Sequence, residues 1–113
     1  MSERPPARHE VPEVDVAALI AARALDTLLA EARRLAEGGS REAERWASYF
    51  GPMPDEFRDG PIPRLRALGR RARAAYGPKD SVRDVLPATL TEPTLDAIDR
   101  LLKVIARYEA HRT

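Results

Sequence analysis

The sequence predicts an all-α fold, a small helical bundle of two long helices, about 14–37 and 93–110, with two or three shorter ones. Three observations carry this expectation. Leucine, alanine, valine and isoleucine recur at helical spacing over both long stretches. No segment alternates β-branched and polar side chains as a half-buried strand would. Glycine and proline cluster where helices must stop, at Gly38-Gly39, Gly51-Pro52 and Gly77-Pro78.

The first helix places Val14, Ala18, Ala21, Leu25, Leu28, Leu29, Ala32 and Leu35 on one face. Glu13 and Asp15 suit its positive N-terminal end, and Gly38-Gly39 closes it. Its first half also carries Val16, Leu19 and Ile20 on other faces, so apolar side chains surround it for about two turns. A helix of that kind is either central to a bundle or part of an interface.

Ser40 is a good N-cap for a second helix, Arg41 to Phe50, with Ala43, Trp46, Ala47 and Phe50 in one stripe. The proline- and glycine-rich stretch from Gly51 to Pro63 is expected to be an irregular loop pinned by Phe57 and Ile62. A third helix is expected from Pro63 to Tyr76, with Leu65, Leu68, Ala72 and Tyr76 inward. A helical turn capped by Asp80 or Ser81 should cover Ser81 to Leu86, ending at Pro87. The last helix is expected from Glu92-Pro93 to about Ala110, with a wide apolar arc from Leu95 to Tyr108.

In domain terms, residues 1–12 form a flexible N-terminal tail and 13–113 a single helical domain. A chain of 113 residues buries roughly two thirds of its unfolded surface, enough for one core. Aromatic residues make up only 5%, so aliphatic side chains must fill that core, and a thin core favours covering apolar surface with a second copy. The chain has no cysteine, which removes disulfides, thiolate nucleophiles and cysteine-ligated metals and points to a reducing cytoplasm. No stretch approaches the ~20 apolar residues of a membrane span, so no membrane partner is expected.

Charge is unevenly distributed. Residues 58–83 carry a net +6, against −4 for residues 1–57 and −1 for the rest. The third helix holds Arg64, Arg66, Arg70, Arg71 and Arg73, candidates for phosphate or nucleic-acid contacts because guanidinium forks match phosphate oxygens. Arg66, Arg70 and Arg73 share one side. Arg64 and Arg71 lie on the opposite flank, and no aromatic residue alternates with the arginines, so snorkelling or pairing with the acidic first half outweighs nucleic-acid binding.

Glu92, Asp96 and Asp99 fall on one side of the last helix and could face a cation. However, Asp96 precedes Arg100 by four and Asp99 precedes Lys103 by four, which favours surface ion pairs over metal. His9 and His111 lie near the chain ends, without the rigid surroundings a base or ligand needs. There is no nucleophile elbow, phosphate-cradling glycine loop or repeated Glu-x-x-His pattern. No cofactor and no catalytic residue are expected.

Two surfaces remain as candidates. Tyr49 and Phe57, beside the proline-rich loop, are possible partner contacts. Val16, Leu19, Ile20 and Arg23 form the expected self-association surface. The function expected is therefore a non-enzymatic helical protein–protein interaction module, a homodimer or a binder of another protein. The alternatives are a nucleic-acid-associated accessory protein and a small-molecule-binding bundle.

Overall fold

A computed structural model describes residues 7–112, and among them every regular element is helical. Helix α1 runs Pro12–Glu37. Proline at the first helical position loses no hydrogen bond, and Glu13 and Asp15 occupy the first turn. The helix ends in a Schellman motif: the amides of Gly39 and Ser40 donate to the Ala36 and Leu35 carbonyls at 3.0 and 3.1 Å. Gly39 sits at φ 103°, a left-handed conformation that favours glycine. Ser40 then starts α2, Arg41–Phe50, its Oγ accepting from the Ala43 amide at 3.1 Å.

The stretch expected to be an irregular loop contains a short helix, α3, Met53–Asp59. Its prolines do not prevent this, because Pro52 is the N-cap and Pro54 lies in the first turn, where the missing amide has no intrahelical partner to lose. Helix α4, Ile62–Ala74, begins one residue earlier than expected and stops two residues before Tyr76. Val82–Asp84 forms a single 3-10 turn held by a capping box. The Ser81 amide donates to Asp84 Oδ2, and Ser81 Oγ accepts from the Arg83 amide, both at 3.1 Å.

Helix α5 spans Ala88–Arg112, so it starts well before Pro93, the residue expected near its beginning. Pro93 removes one amide donor from the helix interior. Hydroxyls bond the carbonyls around it: Thr94 Oγ1 donates to the Leu90 carbonyl at 2.8 Å and Tyr76 Oη to the Thr91 carbonyl at 2.6 Å.

Helices α1 and α5 are antiparallel. Thr94 Oγ1 reaches the Ala24 carbonyl at 3.4 Å, and Glu13, Val16 and Ile20 share a groove with Arg107, Val104 and Arg100. On its other flanks α1 packs against α2 and α3, while α4 packs on α5 and α3. The body measures 54 × 24 × 21 Å. Its core contains Leu25, Leu28, Phe50, Phe57, Leu65, Ile98 and Leu101, all fully buried. Each such side chain contributes about 1.5–3 kcal/mol of transfer free energy.

The expectation of a flexible tail over residues 1–12 does not describe residues 7–12; residues 1–6 lie outside the described residues. Arg8–Glu10 makes a 3-10 turn leading straight into α1. Arg8 Nη1 donates to the carbonyls of Phe57 at 2.6 Å and Gly60 at 3.0 Å, and its Nε to Asp15 Oδ1 at 2.8 Å. A guanidinium thus satisfies carbonyls at the C-terminal end of α3 and ties them to the start of α1.

Candidate functional site

Val16, Leu19 and Ile20 are 55%, 41% and 48% exposed, and among the described residues they are the large apolar side chains left open to solvent. They lie on one strip of α1, because spacings of three and four bring side chains one above another on a helix. The buried residues of the same turns, Val14, Ala17, Ala18, Ala21 and Ala22, belong to the core. The first half of α1 is therefore apolar all round without being buried all round.

The strip continues past Arg23 to Thr27 and Ala30, both exposed and small. Thr27 Oγ1 bonds back to the Arg23 carbonyl, while the Arg23 side chain has no ion pair among the described residues. On one side the strip is bounded by α3, whose Arg58 pairs with Asp26. On the other, the groove shared with Arg100, Val104 and Arg107 of α5 continues it.

The arginines of α4 are mostly engaged within the chain. Arg64 pairs with Glu56 at 2.7 Å, Arg66 with Glu109 at 2.5 Å and Arg73 with Asp99 at 3.0 Å. Arg71 stacks over the Tyr49 ring, 5.3 Å from its centroid. Two of the three acidic partners, Glu109 and Asp99, come from α5, along which α4 lies with Gly69 against Leu102, and the third, Glu56, from the acidic first half. Arg70 alone of the five has neither an ion pair nor a ring contact among the described residues.

Neither expected pair within α5, Asp96 with Arg100 or Asp99 with Lys103, forms. Asp99 reaches across to Arg73, and Glu92 takes Arg83 through two hydrogen bonds of 2.9 Å. The Arg83 hydrogen bond holds the Glu92 carboxyl below the usual carboxylate range. No group of three or more acidic, histidine or cysteine side chains among the described residues could hold a metal ion.

The two aromatic candidates separate. Phe57 is fully buried in the core and is not a surface residue, because α3 turns it toward α1. Tyr49 is half-buried and its hydroxyl donates to the Arg71 carbonyl, tying α2 to the end of α4. It packs edge-on against both Trp46 and Phe50, with centroids 5.5 and 5.1 Å apart.

No helix among the described residues is long and apolar enough to cross a membrane. Comparison of the chain with protein-family models, with curated proteins and with solved structures gave no match.

Proposed function

We propose that this chain is a non-enzymatic interaction module that forms a homodimer through the exposed strip of α1. The observation that carries this reading is the contiguous exposure of Val16, Leu19 and Ile20 on a helix whose other flanks are covered. Three roughly half-exposed aliphatic side chains are too little alone for a stable contact, which buries about 800 Å² per partner. The contact therefore extends along α1 to Arg23 and across the groove edged by Arg100 and Arg107.

Antiparallel pairing of two α1 helices about a two-fold axis level with Ala18 suits the sequence. It sets Val16 against Ile20 of the second copy and Glu13 against Arg23 of the second copy. Apolar residues then meet at the centre, and the ion pairs sit at the rim.

Light scattering coupled to size-exclusion chromatography, across a concentration series, tests the reading. The expected mass is twice the 12.6 kDa of the chain, and Ile20→Glu should return it to the monomer value. A wild-type monomer at high micromolar concentration overturns the proposal.

A further inference from the structure

A groove of about 680 Å³ runs along the junction of α4 and α5, on the face of α5 opposite Arg100, Val104 and Arg107. Volumes of roughly 300–1,000 Å³ are those of small-molecule sites. Arg66, Arg70 and Arg73 line one wall at spacings of four and three, and Arg83 joins them at the end near Tyr76. Leu95, Leu102, Ile105 and Ala106 of α5 supply an apolar floor.

Three of these guanidinium groups are held by carboxylates of α5, Arg66 by Glu109, Arg73 by Asp99 and Arg83 by Glu92. At the level of Arg70, between Arg66 and Arg73, α5 presents Leu102 and Ala106 instead of an acid. The alternating row of cations and anions thus lacks one anion, over an apolar surface. A guanidinium offers five N–H donors, so the paired arginines retain donors beyond those bonded to α5.

We propose that this groove binds a small amphipathic anion, its carboxylate or phosphate head on Arg70 with help from Arg66 or Arg73, and its aliphatic body on Leu102 and Ala106. The charged head supplies the missing anion and the tail covers the floor. Neither half alone satisfies the site. The site is independent of the α1 strip, from which α5 separates it.

Titration of the full chain with octyl phosphate and with octanoate, below micelle formation, tests the proposal by NMR of the Arg70 side-chain N–H and the α4 and α5 amides. Inorganic phosphate and 1-octanol serve as controls. Saturable shifts around Arg70 and Ala106 are expected with both amphiphiles, the tighter of them identifying the preferred head. Both controls should bind at least tenfold more weakly.

Arg70→Gln, at an exposed position, should weaken binding about tenfold, the loss of one charge-assisted hydrogen bond. Ala106→Glu, also exposed, should abolish it by filling the anion position from α5. The proposal is overturned by absent shifts, by unchanged affinity in Arg70→Gln, by inorganic phosphate binding as tightly as octyl phosphate, or by shifts confined to Val16, Leu19 and Ile20.

Discussion

The phenolic hydroxyl of Tyr76 donates a 2.6 Å hydrogen bond to the backbone carbonyl of Thr91, two residues before the proline inside α5. The bond fastens the segment after α4 to the turn of α5 where proline withholds an amide. It also fixes the side of the Tyr76 ring over which Arg83 lies, 5.3 Å from the centroid.

Tyr76→Phe should destabilise the fold by about 1 kcal/mol, the usual worth of one such bond. Burial, and then the negative charge of Glu92, push the Tyr76 hydroxyl above the ordinary phenol range. A group whose folded pKa is raised contributes stability that is whole below its unfolded value, about 10 for tyrosine, and lost as pH climbs toward the folded one. Denaturant unfolding at pH 8 and pH 11 should therefore show a steeper alkaline loss for the wild type than for Tyr76→Phe. Equal slopes would mean the hydroxyl is not coupled to folding.

Arg8→Ala should cost about 1.5–3 kcal/mol, because it leaves the Phe57 and Gly60 carbonyls without their charged donor and Asp15 without its cation. Amide exchange should accelerate first in α3 and the first turn of α1. Uniform acceleration across all helices would argue instead for a purely global effect.

Ile20→Glu and Phe57→Ala should behave as opposites. Ile20 is exposed, so the glutamate variant keeps its helical content and monomer stability while losing self-association. Phe57 is fully buried, and its truncation should cost about 3–5 kcal/mol with no selective effect on assembly. Circular dichroism melts, run beside mass measurements, separate the two effects.

Gly69 packs α4 directly against Leu102 of α5. A Cβ there would lie 2.8 Å from Leu102 Cδ2 and 3.1 Å from Cγ, so rotating the end of the leucine does not relieve both contacts. Alanine gains about 1 kcal/mol in helix propensity against about 1–3 kcal/mol of overpacking. Gly69→Ala should thus be destabilising by up to about 2 kcal/mol in chemical denaturation, and a more stable variant would show that α4 can move outward freely.

Helix positions and inner faces were legible because each is written locally, in spacing, caps and stops. Ser40, Gly39 and Ser81 do at the termini what their chemistry predicts. The sequence misled where one residue type has two uses. Pro54 and Pro93 look like breakers, yet the first lies in an opening turn and the second is accommodated among hydroxyls contributed partly by another element.

Arg8 reads as part of a tail because the two carbonyls it holds, those of Phe57 and Gly60, lie 49 and 52 residues away, and no local pattern records such a contact. For the same reason the arginines of α4 could be placed on faces but not assigned partners. The exposed strip on α1 was legible as an excess of apolar residues, whereas the gap opposite Arg70 required the register of two helices.

The antiparallel course of α1 and α5 brings Glu10 and Val11 alongside Tyr108 and His111, at the end that carries Val16 and Ile20. A reporter domain fused beyond either of these segments would stand next to the association strip and could crowd a second copy. An insertion between Gly38 and Gly39, exposed at the opposite end of α1, would leave that strip clear.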